Sequence, residues 1–344
     1  MKYRTLGRTG VKVSTLCLGA MMFGAFGNRD HDECVAIIDA ALDAGINFID
    51  TADVYSRGES EEIVGRAIKG KRDQVVLATK ANGQMGEDPN SRGNNRRWLM
   101  QECDNSLRRL GTDHIDLYQM HRPDPTCDID ETLGALSDLV HAGKILYAGC
   151  STFPAHQIVE AHWASERRGL ERFVCEQPPY SMLVRTIEAD VLPTCQRYGM
   201  GVIPWSPLAG GWLSGRYRKG RDIEPSHRAA RIPQRFDLTL PENQAKLDAA
   251  DALAVVAEDA GLGLIQLALG FVLAHPAVTS AIIGPRTMEQ LSGQLDAGDI
   301  VLDSDLLDRI DTIVPPGTTL NPADKGWTPP ALERSWERRR PARS

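Results

Sequence analysis

NFIDTADVY, Asn47–Tyr55, reads as a buried strand that stops abruptly. Phe48 and Ile49 follow the helix breaker Gly45, and the chain then turns polar at Asp50, Asp53 and Tyr55. A strand that ends by presenting carboxylates and a phenol is suited to chemistry at its carboxyl end. Each residue also has an ordinary reading, since a strand-end Asp often caps the next helix and a Tyr there often packs half-buried. Other strand ends decide between these readings.

Working outward, the same punctuation recurs. Tyr3 to Leu18 reads as a hairpin around Arg8-Thr9-Gly10, and Leu16 to Gly19 begins something more buried. Val35, Ile37, Ile38, Ala41 and Leu42 form one helical face over Asp32–Ala44. A helix over Glu59–Lys69 leads to QVVLATK, Gln74–Lys80, an apolar strand ending in a lysine. After a Gly/Asn loop, a helix over Arg96–Leu110 precedes IDLYQMH, which ends in His121. A helix near Leu133–Ala142 and strand KILYAGCST follow, then a helix from Pro154 to Arg168, strand FVCEQ, a helix near Asp190–Tyr198 and strand GVIPWSP. Beyond an irregular stretch, Leu208–Leu240, come helices over Pro241–Ala260 and Leu264–Ala274, strand SAIIG, and helices Met288–Leu295 and Asp303–Ile313.

Strand centres at Leu16, Asn47, Val75, Ile115, Ile145, Phe173, Val202 and Ala281 make eight strands, each followed by a helix. Near-continuous apolar strands alternating with amphipathic helices imply a parallel sheet covered on both faces. Eight such units fit a closed (β/α)8 barrel, an α/β fold of about 250 residues. An open doubly wound sheet would normally carry G-x-G-x-x-G after an early strand, and none is present. No internal linker divides the chain, so residues 1–315 are expected to form a single domain. The segment 316–344, ending in ERSWERRRPARS, lacks periodicity. It reads as a solvated, partly disordered tail, with the part around Trp327 a candidate to fold over the barrel mouth.

Composition excludes several classes. The net charge of −7 argues against nucleic acid as a partner. No apolar run reaches membrane-spanning length, and the opening MKYRTLGRTG has no signal-peptide apolar region. Seven scattered Cys without C-x-x-C read as reduced thiols of a cytoplasmic protein. The eight His show no paired metal-ligand spacing, so no metal site is expected. GRAIKGKR, from Gly65, nearly spells a phosphate loop, but Arg72 stands where Ser or Thr would hold magnesium, and helix and strand occur in the reverse order. G-x-S-x-G is also absent.

In a barrel, strand ends converge on one mouth. Here they deliver Asp50 and Tyr55, Lys80, and His121. A phenol, with an ordinary pKa of about 10, is a reluctant acid near neutrality, and a neighbouring ammonium favours its phenolate. Asp50 would hold Lys80 charged and aimed, and His121 would orient a substrate carbonyl.

This ordered set resembles the catalytic tetrad of the aldo-keto reductases, and the resemblance runs to about residue 315. It is closer to the branch of bacterial reductases and potassium-channel β-subunits than to the mammalian hydroxysteroid enzymes. It implies NADPH bound without a Rossmann domain, with NADH the lesser alternative, and reduction of an aldehyde or ketone by hydride from the nicotinamide and a proton from Tyr55. It further implies that Ser151, Thr152 and Gln177 hold the nicotinamide amide, Thr152 standing where Asn is common. Trp205 would stack on the ring, with Ser206, Leu208 and Gly210 bordering the pyrophosphate. Gly284 and Arg286 would bind the adenosine phosphate and Gln290 the adenine, and Gln294 stands where Asn is usual. Asp50 counts with both the catalytic and the cofactor set. The resemblance leaves open a regulatory subunit that senses NADP(H) and turns over slowly. Substrate and oligomeric state do not follow from the sequence.

Overall fold

The computed structural model describes residues 1–223, 229 and 231–339. Its centre is an eight-stranded parallel sheet: β3 (Leu16–Gly19), β4 (Phe48–Asp50), β5 (Val76–Ala81), β6 (Ile115–Met120), β7 (Ile145–Cys150), β8 (Phe173–Glu176), β9 (Gly201–Val202) and β10 (Ala281–Ile283). β10 pairs with β3, and the sheet curls until Ile282 N–H donates to Pro204 O at 2.9 Å and Thr279 N–H to Val202 O at 2.8 Å. The two ends of the sheet thereby meet, giving the expected (β/α)8 barrel. The hairpin is also present: β1 (Tyr3–Thr5) pairs antiparallel with β2 (Lys12–Ser14), and Leu6 and Val13 plug the barrel floor.

The helices form where local chemistry favours them. In α1 (His31–Asp43) the Asp30 side chain accepts the Asp32 and Glu33 N–H groups, while Cys34, Ile37, Ile38 and Ala41 face the sheet. Asn95 caps the helix Arg96–Leu110, which ends at Gly111 in the left-handed region. The fourth helix begins at Ile129, earlier than the apolar pattern from Leu133 suggests, because its first turn is polar and exposed on one side. GVIPWSP contributes only Gly201–Val202 as strand, since Pro204 and Pro207 have no N–H to donate.

Strand alternation divides the core in two. Cys17, Phe48, Ala78, Leu117, Cys175, Ile203 and Ile282 point into the barrel, while their neighbours pack against the helices. Two residues further along each strand, the same inward face reaches the mouth at Gly19, Asp50, Lys80, Gln119, Gln177, Trp205 and Gly284. Gly149 lies in this layer beside Gln119, whose Cγ would be only 3.0 Å from an added Cβ. Glycine there leaves room for the glutamine.

Beyond the barrel, Asp324 is buried and paired with Lys246, at 2.8 Å, and with Arg235. These bonds tie residues 321–326 to the helix Pro241–Asp259 and to the end of the irregular stretch. Gly326, with φ 79°, sits against the Trp205 ring so closely that a Cβ would fall 2.6 Å from it. Residues 224–228 and 230 of the irregular stretch, and 340–344 of the Arg-rich tail, lie outside the described residues.

Candidate active site

The polar layer at the mouth is built around Lys80, which is fully buried. Its Nζ donates to Asp50 Oδ1 at 2.5 Å, to Thr51 O at 2.7 Å and to Tyr55 Oη at 3.3 Å. An ammonium has three protons, and all three are used. Burial acts to lower the lysine pKa, but Asp50 and Tyr55 more than offset it, so the group is held above its ordinary value and stays charged.

Asp50 is saturated as well. Its Oδ2 accepts from Gln119 Nε2 at 3.0 Å and Gln177 Nε2 at 2.8 Å, and Gln177 Nε2 also reaches Gln119 Oε1 at 3.1 Å. A carboxylate only accepts, so both amides must turn their NH2 groups inward. Among the described residues Gln177 Oε1 is then left without a protein donor, although it is not sealed from solvent.

Tyr55 leaves the barrel in a tight turn, Tyr55–Gly58, in which Ser56 (φ 50°) and Arg57 (φ 57°) adopt the left-handed region. This conformation is costly for residues other than glycine and persists only when its surroundings impose it. Ser56 Oγ supplies that constraint by donating to Phe23 O and accepting from Phe26 N–H, both at 3.0 Å. The His121 ring meets Tyr55 edge-on at 5.7 Å between centroids. Burial, Arg122 and Lys80 all lower the His121 pKa well below its ordinary value, so the imidazole is neutral at pH 7 and can donate a hydrogen bond. The structure thus brings Asp50, Tyr55, Lys80 and His121 together.

The other singled-out residues lie in the segments that follow the strand ends of the same mouth. Ser151 Oγ donates to Gln177 O at 2.9 Å, and Thr152 (φ 62°) follows in a strained turn. Trp205, Ser206, Leu208 and Gly210 are half-exposed on the rim. Among the described residues Gly284 is open, with nothing within 4 Å of an added Cβ, and Arg286 bonds its neighbours only through its backbone. Gln290 Oε1 accepts the Arg286 N–H at 2.8 Å, and Gln294, buried, donates to Gln290 O at 2.7 Å. Both glutamines are engaged in the helix Met288–Leu295.

Gln119 and Glu176 escaped the sequence reading. Gln119 lies two residues before His121 on the inward face of β6, and that period is the clue that could have found it. Glu176 points the other way, between sheet and helices, where its Oε1 accepts the Phe153 N–H at 3.1 Å and Oε2 has no hydrogen-bond partner among the described residues. Burial pushes this carboxyl up from 4.5 to about 7. The folded protein therefore holds a proton there that the unfolded chain releases. This contribution to stability is fully present below about pH 4.5 and is lost as pH rises through about 7. Glu176→Gln should gain on the wild type across that window, by up to about 3 kcal/mol in paired urea melts. A constant difference between the two proteins from pH 4 to 8 would contradict this account.

The sequence profile of the Aldo/keto reductase family matches residues 15–315. Among curated proteins, "Uncharacterized oxidoreductase YrpG" of Bacillus subtilis is 40% identical, over 92% of this chain and 96% of its own. "Aldo-keto reductase YhdN" of the same organism is 35% identical over 91% and 94%. "Probable voltage-gated potassium channel subunit beta" of Oryza sativa is 35% identical over 91% and 97%. The chain belongs to the aldo-keto reductase family. It is an oxidoreductase by that membership, within the branch that includes bacterial reductases and channel β-subunits.

Proposed function

We propose that the protein reduces aldehyde or ketone carbonyls to alcohols with NADPH, Tyr55 donating the proton. The observation that carries this reading is the position of Lys80 Nζ, within hydrogen-bond reach of Asp50 and Tyr55 at once. The ion pair fixes the ammonium against the phenol, which favours the charge that Tyr55 acquires on giving up its proton. Neutral His121 donates to the carbonyl oxygen and orients it toward Tyr55. When bound, the nicotinamide supplies a hydride to the carbonyl carbon, and the C=O π pair moves to oxygen, which takes the proton.

The residues present suit such a cofactor. Gln177 Oε1 is an open acceptor for a carboxamide NH2, Trp205 is a half-exposed aromatic ring suited to stacking, and the Arg286 guanidinium has no protein partner among the described residues. Ser151 and Thr152 adjoin Gln177, Ser206, Leu208 and Gly210 would border the pyrophosphate, and Gly284 leaves space beside Arg286. Gln290 and Gln294 would adjoin the adenine. Arg286 can fork onto a 2′-phosphate that NADH lacks. Arg286→Ala is therefore expected to weaken NADPH binding by about tenfold to a hundredfold and NADH binding far less, read by fluorescence titration. Equal losses would remove Arg286 from this role.

The seven cysteines are free, and among the described residues no single helix is long and apolar enough to cross a membrane. We place the protein's work in the reducing cytoplasm, on a small carbonyl substrate. The resemblance to channel β-subunits favours a second reading, an NADP(H)-sensing regulatory subunit. Sustained multiple-turnover NADPH oxidation with an activated aldehyde such as 4-nitrobenzaldehyde supports the enzyme. Single turnover in a stoichiometric complex supports the regulator.

A further inference from the structure

We propose that Arg122 recognises an oxyanion on the substrate, so that the preferred substrates are carbonyl compounds bearing a carboxylate or phosphate a few bonds from the carbonyl. The inference deepens the carbonyl-reductase reading and rests on it. Arg122 follows His121 directly, and its guanidinium lies 5.9 Å from the Trp205 ring. One nitrogen, Nη1, donates to His121 O and, at 3.4 Å, to Ser151 Oγ. The group therefore stands between the proposed proton donor's neighbour and the proposed nicotinamide platform.

No carboxylate lies within ion-pair distance of Arg122 among the described residues. Other sunken arginines are paired: Arg109 with Glu61 and Glu102, Arg185 with Glu188 and Asp311, Arg235 with Asp324. Arg4, which is not, spends both Nη atoms on the carbonyls of Val278 and Leu273. Among the described residues Arg122 instead leaves Nε and Nη2 without a protein acceptor, and neither is sealed from solvent. Burial lowers its pKa, while Tyr55 and Glu176 are near enough to raise it only in part.

A guanidinium drawn out of water without a counter-ion is costly to the free protein. A carboxylate or phosphate entering the mouth would relieve that cost, two of its oxygens accepting the unused Nε and Nη2 N–H bonds as a fork. Because the site abuts His121 and Tyr55, the oxyanion would fix which end of a short substrate reaches the proton donor. It is a spectator: no bond forms or breaks at it.

The test compares matched pairs under saturating NADPH: succinic semialdehyde against butanal, and glyceraldehyde 3-phosphate against glyceraldehyde. The wild type should prefer the charged member of at least one pair by about tenfold or more in kcat/KM. The favoured pair shows whether the oxyanion is carboxylate or phosphate. In Arg122→Met the ratio within that pair should fall towards unity, mainly through KM, and Arg122→Lys should restore part of it. Inorganic phosphate should compete with the aldehyde in the wild type and lose that effect in Arg122→Met. General damage to the site affects both members of a pair, so the ratio isolates the charge. Neutral aldehydes reduced with no preference for charge would overturn this inference alone. So would a preference that survives Arg122→Met, or a loss of NADPH affinity in that variant with the ratio unchanged. No reduction of any member would overturn the carbonyl-reductase reading and this inference with it.

Discussion

Tyr55→Phe is expected to lower carbonyl reduction by about 10²–10⁴-fold, the usual contribution of a positioned general acid. The substitution removes one hydroxyl and keeps the ring. The edge-on contact with His121 survives, and so do the Ser56 bonds that hold the turn, because neither uses the hydroxyl. Lys80 loses one of three acceptors but keeps Asp50 and Thr51 O. Folding should therefore change by no more than about 1 kcal/mol, the worth of an ordinary hydrogen bond. NADPH affinity should stay within a few-fold, since no cofactor contact is assigned to the phenol. Steady-state kinetics on an activated aldehyde, beside a cofactor titration of the same variant, measures both. Unchanged turnover would show that Tyr55 only packs. Joint loss of rate and cofactor binding would show that the site had collapsed.

Lys80→Met should be harsher, because it touches stability and chemistry together. The side chain is fully buried, so methionine fits roughly where the aliphatic stem lay. What remains is the Asp50 carboxylate, still bonded to Gln119 and Gln177 but without its cation. Stranding one partner of a buried ion pair costs about 3–5 kcal/mol. Activity should fall by at least about a hundredfold, since the charge set against Tyr55 is gone. The double variant Asp50→Asn with Lys80→Met separates the two effects. Removing the stranded charge should restore much of the stability, read by urea melts, and none of the activity. Near wild-type reduction by Lys80→Met would place the proton-donating centre elsewhere.

Much of the molecule is legible along the chain. The alternation of apolar strands with amphipathic helices is a local property, set by side-chain periods of two and about 3.6 residues. It located all eight barrel strands, and Asp50, Lys80 and His121 were visible as polar residues where apolar runs stop. Boundaries slipped where backbone donors were missing, as at Pro204, or where a helix opened with a polar turn, as at Ile129.

Three features belong to the tertiary structure alone. Gln119 joins Asp50 only because the parallel register sets Lys80 beside Gln119 and Gln119 beside Gly149 in the same layer. The left-handed Ser56 is held by carbonyl and amide groups of Phe23 and Phe26, some thirty residues away in sequence. Arg122 looks like any loop arginine until the closed barrel shows that no carboxylate pairs with it among the described residues. Local pattern along the chain sets the elements and the residues that end them, because hydrogen-bond period and hydrophobic pattern act over a few residues. Which buried charges find partners is settled only when the barrel closes. That depends on distances across a closed sheet, which no local pattern encodes.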